Sequence, residues 1–308
     1  MDEKSVAIIL LNWNAYNDTV ECLHSLEKLV YQNFHVFLVD NDSKDQSYEK
    51  LRADQLSGEF SLPLTIIQSG SNMGCAGGNN VGMKAAYEQG YEYLWMLNND
   101  TVVDQHSLTR LVEEMETHDE IGIVGSKIIN MNNNLVWFAG GSINQYLGTS
   151  TPYGIDQQES EEFNTRKEVG FVVGCSMLFR RELIELIGWL DEDYFIYYED
   201  TDWNLKAKKA GMKIVYVPDS LIYHKESSST KSEELSPHYA YYLMRNGYLF
   251  VKRNNPKYKM IALLYMAYRI VKFHLLYVLN KDNKLKRSRM IFKGALHGLR
   301  NQIGQFSD

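Results

Sequence analysis

Only three cysteines and five prolines occur among the 308 residues. Cys22, Cys75 and Cys175 are odd in number and include no Cys-x-x-Cys pair, which argues against a disulfide framework and a structural zinc site and suits a reducing compartment. No Gly-x-Gly-x-x-Gly follows the first strand-like run, where the chain reads Asn12-Trp13-Asn14, and no G-x-x-x-x-G-K-[ST] phosphate loop occurs. Ordinary nicotinamide-dependent enzymes and P-loop ATPases thereby lose most of their support. The start, Met1-Asp2-Glu3-Lys4, leads directly into a strand-like run, so no secretory signal is expected. The longest apolar stretch, residues 260–279, is interrupted by Arg269, Lys272 and His274. Two central cations cost roughly 2.5–3.5 kcal/mol each in a bilayer, so this stretch is expected to lie at an interface or against a partner and not to span.

What is present begins with charge. The net charge of −7 divides sharply: residues 1–250 carry 19 Lys/Arg against 37 Asp/Glu (−18), and residues 251–308 carry 13 against 2 (+11). An acidic body with a basic tail suggests an anionic partner for the tail, a membrane surface or a nucleic acid, unless the charge is simply solvated. The body's charge opposes a nucleic-acid role.

The first hundred residues alternate short apolar runs with helical patterns. Strands are expected at Val6–Leu11, Phe34–Val39, Leu64–Ile67 and Tyr93–Leu97, with helices at Asp18–Leu29, near Gln46–Leu51 and after the glycine-rich stretch Ser69–Gly82. Such alternation indicates βαβ units and a mostly parallel sheet flanked by helices. Asp104 is placed to cap a helix from Gln105 to about Glu116. Residues 126–168, rich in Asn, Gly, Ser and Glu with isolated aromatics such as Trp137, read as a hairpin-and-loop insertion. Regular structure is expected again over Gly170–Phe179, in helices at Arg181–Ile187 and Thr201–Ala210, and in a strand over Lys213–Val217 that Pro218 stops. The composition shift sets the expected division into a catalytic domain, 1–250, and a basic, amphipathic helical extension, 251–308.

Five places could carry chemistry. The apolar run Tyr93–Leu97 ends in Asn98-Asn99-Asp100; ligands of open α/β sheets bind just outside the carboxyl ends of strands, where a carboxylate suits Mg²⁺ or Mn²⁺ shared with substrate phosphates. The second strand ends Asp40-Asn41-Asp42-Ser43, and an acidic residue there can accept from a nucleobase or ribose. Glu199, Asp200 and Asp202 open a helix among aromatics; a carboxylate partly desolvated by rings is a general-base candidate. His224 closes a strand-like stretch and offers an imidazole to a divalent metal. A glycine-rich turn before a helix, as in Asn72–Gly82, permits close approach of a ligand, and helix amino termini favour anions.

In this order the segments Leu11–Asn14, Val39–Ser43, Asn72–Gly82, Leu97–Asp100, Gly174–Arg181, Gly188–Glu192 leading to Glu199–Trp203, and Val217–His224 resemble the inverting family 2 glycosyltransferases of GT-A fold, particularly a bacterial rhamnosyltransferase-like branch. The resemblance spans roughly residues 5–226. It implies a nucleotide-diphosphate sugar donor such as dTDP-rhamnose or a UDP-sugar, a divalent cation (Mg²⁺ or Mn²⁺), and transfer to a hydroxyl of a glycan or lipid-linked acceptor in cell-surface polysaccharide assembly. It implies Asp200 as catalytic base supported by Glu199, and Asp100, at the metal-binding end of the family's D-x-D, joined on the metal by His224. The first position of that motif is Asn98 here. Asp40 is implied to meet the base, with Asn12, Asn14, Asp42, Asn72, Gly74 and Gly77 around the nucleotide; Asn98, Asn99, Gly174, Cys175 and Trp203 complete the implied substrate-binding set. A nucleotidyltransferase of related fold is disfavoured because Asn12–Tyr16 offers no cation to a triphosphate, and a non-catalytic sugar-nucleotide-binding protein because Asp100, Asp200 and His224 are all kept. The expected setting is cytoplasmic, peripheral on the inner membrane face through residues 257–300. Packing of that tail on the catalytic domain or a second subunit stays open, as does a homo-oligomer.

Overall fold

The computed structural model describes residues 3–225, 236–279 and 284–306. Strands and helices alternate first as the apolar rhythm predicts: β1 (Val6–Asn12), α1 (Tyr16–Leu26), β2 (Phe34–Asp40), α2 (Ser47–Ser57), β3 (Leu64–Gln68), α3 (Gly74–Glu88) and β4 (Tyr93–Asn98). Successive residues of β1 and β4 are buried without alternation, as both faces of a central parallel strand must be. The register sets Asn12 beside Asp40 and Leu11 beside Asn98, so the polar residues that end three apolar strands form one row.

The glycine-rich stretch departs from its expected form. Most of it is helix, since α3 begins at Gly74. A Cβ at Gly78 would stand 2.4 Å from Leu11 Cδ1, so the bare backbone lets α3 settle directly on β1. Asp104 likewise does not cap a helix at Gln105. Its Oδ1 accepts from His106 N at 2.9 Å, a turn that precedes α4 (Ser107–Met115), where His106 holds the cap position.

The second half completes the sheet with β5 (Thr101–Val103), β6 (Ile121–Asn130), β7 (Val136–Phe138), β8 (Gly141–Asn144), β9 (Thr149–Pro152), β10 (Lys167–Glu168), β11 (Ser176–Arg180) and β12 (Lys213–His224), with α5 (Glu182–Ile187) and α6 (Glu199–Lys209) between the last two. The order is β10-β12-β6-β11-β4-β1-β2-β3, with β5 on β12 and β7 on β6; β11 runs antiparallel between β4 and β6. The region 126–168 contains the expected hairpin, β8 with β9. Regular pairing over Gly170–Phe179 shrinks to β11. Residues 170–175 lie instead under α6, where Asn204 Oδ1 accepts from Val172 N (3.0 Å) and Asn204 Nδ2 donates to Val172 O (2.9 Å).

Pro218 does not stop the strand. β12 continues to His224, and its register on β6 jumps from Val217 beside Ser126 to Leu221 beside Lys127. The proline falls in that bulge, where no ladder donor is required of it. This extension carries His224 to the carboxyl end of the sheet.

The chain closes with α7 (Pro237–Asn254), α8 (Lys259–Leu279) and α9 (Lys284–Arg300). Ser236 Oγ caps α7 by accepting from Tyr239 N at 3.0 Å, with Pro237 in the first turn. The expected division at residue 250 falls inside α7. Ala240, Met244, Met266, Ile291 and Ala295 form a core among the three helices. Tyr241, Tyr242 and Met290 pack against Phe195, Ile196 and Tyr197, which ties the extension to the segment preceding α6. No described helix is long and apolar enough to cross a membrane. Of the basic run 281–289, residues 281–283 lie outside the described residues.

Candidate active site

Asp100 and His224 stand 124 positions apart in sequence, yet Asp100 Oδ1 lies 3.2 Å from His224 Nε2. The cause is the β5–β12 ladder, which pairs Thr101 with His224 and lets Lys225 N donate to Asp100 O at 2.9 Å. Lys225 Nζ in turn reaches Asp18 and Glu21 on α1. The Trp137 ring sits 4.6 Å from the His224 ring, so the insertion supplies one wall. Asp100 Oδ1 and His224 Nδ1 are buried without a hydrogen-bond partner among the described residues. Among those residues no third His, Cys, Asp or Glu joins them. Asp100 Oδ1 and His224 Nε2, which face each other, fit a hard divalent ion that takes its remaining oxygens from substrate phosphate and water.

The second centre is the start of α6. Asp200 Oδ2 accepts from Gly174 N at 3.0 Å, while its Oδ1 accepts from Thr201 N (2.6 Å) and Thr201 Oγ1 (3.1 Å). The next residue, Cys175, accepts through its carbonyl from Asn98 N at 3.0 Å. The dipeptide Gly174-Cys175 therefore joins Asp200 to the end of β4, two residues from Asp100. Burial raises the Asp200 carboxyl above its ordinary 3.8, against the Gly174 and Thr201 donors that lower it. Glu199 is pushed up to about 8, first by burial and then by the charge of Asp200. Glu199, raised to about 8, therefore keeps its proton at neutral pH, and further proton uptake belongs to the pair of neighbouring carboxyls. Asp202 is turned the other way: Lys206 Nζ (2.6 Å), Tyr194 OH (3.1 Å) and Asn254 Nδ2 (2.5 Å) surround it.

The candidate residues divide by exposure. Asn14, Asp42, Asn72, Asn98, Asn99 and Gly174 keep exposed surface at this end of the sheet, whereas Asn12, Asp40, Gly74, Gly77, Cys175 and Trp203 face inward. Asn12 and Asp40 satisfy each other: Asn12 Nδ2 donates to Asp40 Oδ2 at 2.8 Å, and Ser43 N to Asp40 Oδ1 at 3.0 Å. Asn12 Oδ1 accepts from Thr19 Oγ1 (2.9 Å), whose oxygen accepts from Asn99 Nδ2 (2.8 Å). A buried polar chain, typical of groups that must be paired away from water, thus runs from the β2 end to the residue beside Asp100.

Gly74, at φ +72°, lies against Phe195, whose carbonyl oxygen would be 2.3 Å from a Cβ. Cys75 N (2.7 Å) and Ala76 N (3.3 Å) donate to that same oxygen, so the first amides of α3 are already taken and not free for an anion. Gly77 packs on Met73. The Cys175 side chain is buried while its backbone makes the bridge above. Trp203 is a core anchor, with Nε1 donating to Gly188 O at 2.9 Å and its ring 4.6 Å from Phe179; position 203 simply falls on the inner face of α6.

Sequence reasoning missed Asn41, Thr19, Asn204 and Trp137. Asn41 Oδ1 accepts from Met73 N (2.9 Å) and its Nδ2 donates to Gly74 O (3.1 Å), so it fixes the entry to α3. Its only signal was its place between Asp40 and Asp42.

A protein-family comparison matches residues 6–188 to "Glycosyl transferase family 2". Among curated proteins, dTDP-rhamnosyl transferase RfbF of Shigella flexneri is 23% identical over 303 residues, covering 94% of this chain and 94% of that protein. Among solved structures, TarS 1–349 of S. aureus in complex with UDP-GlcNAc superposes with a TM-score of 0.60 at 16% identity, over 96% of this chain and 81% of that one. Mannosyltransferase PcManGT from Pyrobaculum calidifontis, in complex with GDP-Man and Mn²⁺, gives 0.60 at 14% identity over 98% and 89%. The structural likenesses establish the GT-A fold.

Proposed function

The chain belongs to glycosyl transferase family 2, and on that premise we propose that it is an inverting, metal-dependent enzyme moving a sugar from a nucleotide-diphosphate donor to a hydroxyl of a glycan or lipid-linked acceptor in cell-surface polysaccharide assembly. The observation that carries the reading is the Gly174-Cys175 bridge, which holds Asp200 and the Asp100–His224 pair at one sheet end. Asp200 removes the proton from the acceptor hydroxyl as that oxygen attacks the anomeric carbon, on the face opposite the departing diphosphate. Gly174 N and Thr201 N hold its carboxylate in place, and the proton on Glu199 keeps a second negative charge away from it. Asp100 and His224 would hold Mg²⁺ or Mn²⁺, which when bound neutralises charge growing on the leaving diphosphate. Asn14, Asp42 and Asn72, with exposed surface, contact the nucleotide; Asn12 and Asp40 act beneath them by fixing the strand ends.

RfbF by its name takes a dTDP-sugar, whereas TarS and PcManGT were solved with UDP and GDP sugars; dTDP-rhamnose and a UDP-sugar are the donors proposed here. A thermal-shift panel of dTDP-, UDP- and GDP-sugars with Mn²⁺ tests this. A saturating donor at 100 times its Kd stabilises by about 2.7 kcal/mol, so one nucleotide should raise Tm by several degrees; no response to any of the three would refute the reading.

The division into catalytic body and helical extension belongs to the same proposal, with α7 common to both and a cytoplasmic setting. Met260, Leu264, Tyr268, Val271 and Leu275 are exposed at helical spacing along α8, and neither α8 nor α9 contains an acidic residue. Exposed Lys259 and Lys272 on α8, and Lys284, Lys286 and Arg289 on α9, suit an anionic leaflet, where each contributes about 1 kcal/mol. The full chain should float with anionic vesicles, and a Leu264→Glu, Val271→Glu variant should float markedly less. Equal flotation of the two would refute this surface.

A further inference from the structure

Three residues that lead into Glu199 and Asp200 hold left-handed backbone without being glycine: Phe195 (φ +64°), Tyr197 (φ +63°) and Tyr198 (φ +80°). Such conformations are disfavoured for bulky side chains and persist only where the surroundings impose them. What surrounds this loop is α7. Asn246 is fully buried, and its Nδ2 donates to the carbonyls of Tyr194 (3.1 Å), Ile196 (2.9 Å) and Tyr197 (2.8 Å). Its orientation is set by the preceding residue, since Arg245 Nε donates to Asn246 Oδ1 at 2.8 Å and so keeps the amide nitrogen facing the loop. The Arg245 guanidinium, also fully buried, reaches the carbonyls of Tyr194 (2.7 Å), Asp193 (3.2 Å) and Gly304 (2.6 Å). Farther along α7, Arg253 grips the Asp191 and Asp193 carboxylates, each at 2.5 Å. On its other side the loop gives the Phe195 carbonyl to Cys75 N and Ala76 N at the start of α3. A strained loop, residues 194–198, is therefore pinned between the nucleotide-side helix and the helical extension, and its next residues carry the catalytic carboxylates.

We infer that Asn246, oriented by Arg245, is a positioning residue for the transfer reaction: it holds the 194–198 loop in the conformation that aims Asp200 at the acceptor hydroxyl. The inference rests on Asp200 being the base. Without the Asn246 amide, three loop carbonyls lose a common donor and the loop relaxes toward ordinary backbone. Asp200 then turns away from Gly174 N, the contact that fixes its position relative to β4. Asn246 touches none of Asn14, Asp42 and Asn72, the nucleotide contacts proposed above, so donor binding should be spared.

The test is a double-mutant cycle on the full chain with Asn246→Ala and Asp200→Asn. A misplacement of about 1 Å can cost up to about 10²-fold in rate, so Asn246→Ala should lower kcat about 10- to 100-fold while donor affinity by thermal shift stays within about threefold. In the Asp200→Asn background the same change should cost less than about threefold more, because the two act through one step. The inference is overturned by a folded Asn246→Ala enzyme with near-normal kcat, by parallel loss of donor affinity, or by multiplicative effects in the double variant. Should Asn246→Ala fail to melt cooperatively, Arg245→Lys, which keeps the charge and removes the fork, is judged by the same criteria. Asp200→Asn alone reports separately on the base: near-normal turnover there removes Asp200 from its role whatever Asn246 does.

Discussion

Asp200→Asn is expected to lower turnover by about 10²–10⁴-fold, the usual contribution of a positioned general base, with donor affinity and Tm near those of the wild type. Asparagine keeps the size and one of the two acceptor oxygens, so it can still accept from Gly174 N while its Nδ2 faces the Thr201 donors; the substitution removes the negative charge and part of the carboxylate's anchoring. The pH profile gives a second reading. Burial raises the Asp200 carboxyl above its ordinary 3.8, and only the ionised form accepts a proton, so activity should climb with pH through that raised value. Above about 8, where Glu199 ionises, a second charge arrives beside the base and a change of slope is expected. Because the two carboxyls are neighbours, these midpoints belong to the pair. Single-turnover rates between pH 4 and 9 check this, and a pH-independent rate in the wild type would remove the assignment, as would an Asn variant with near-normal turnover.

Exhaustive chelation should abolish transfer, and Mg²⁺ or Mn²⁺ should restore it. Two protein side chains are few for a divalent ion, so the ion is expected to bind weakly without donor and tightly with it, since the diphosphate completes its oxygen shell. Asp100→Asn removes the charge but keeps the size, and should raise the Mn²⁺ concentration needed for half-maximal donor stabilisation by at least about tenfold. His224→Ala should act in the same direction. Full activity after chelation would sink the metal assignment. Activity lost in the variants with unchanged Mn²⁺ dependence would leave Asp100 and His224 as structural supports only.

The parallel half of the fold was legible because its signal is local. A short, β-branched apolar run such as Val6–Leu10, bounded by polar residues, reads as a doubly covered strand, and Asn98-Asn99-Asp100 marks the strand end by an abrupt change of polarity. The second half was less legible. Pro218 read as a stop because a proline cannot donate to a ladder, yet a bulge against β6 removed the need for that donor, and β12 went on to deliver His224. Trp203, among carboxylates, read as a site residue, and the structure puts it in the core because α6 turns that position inward. The glycines of Asn72–Gly82 read as a ligand cradle, but Gly78 and Gly82 let a helix lie on β1, and Gly74 and Gly77 pack on Phe195 and Met73.

The sequence by itself determined the chemistry available: which strand ends carry carboxylates and amides, where the acidic body gives way to a basic tail, and which family pattern the ordered motifs follow. These are properties of residue type and short-range spacing, which need no knowledge of distant neighbours. Only the tertiary structure decided which groups remain open and which are spent on one another. Asp40 is committed to Asn12 and Ser43, and the α3 amides to Phe195, whereas Asp100 Oδ1 and His224 Nδ1 have no hydrogen-bond partner among the described residues. A hydrogen-bond partner 28 or 120 residues away is fixed by strand register and helix packing, and neither is written in the local pattern. The same holds for Asn246, an unremarkable amide in an aromatic helix until packing sets it under three carbonyls of the loop that carries Asp200.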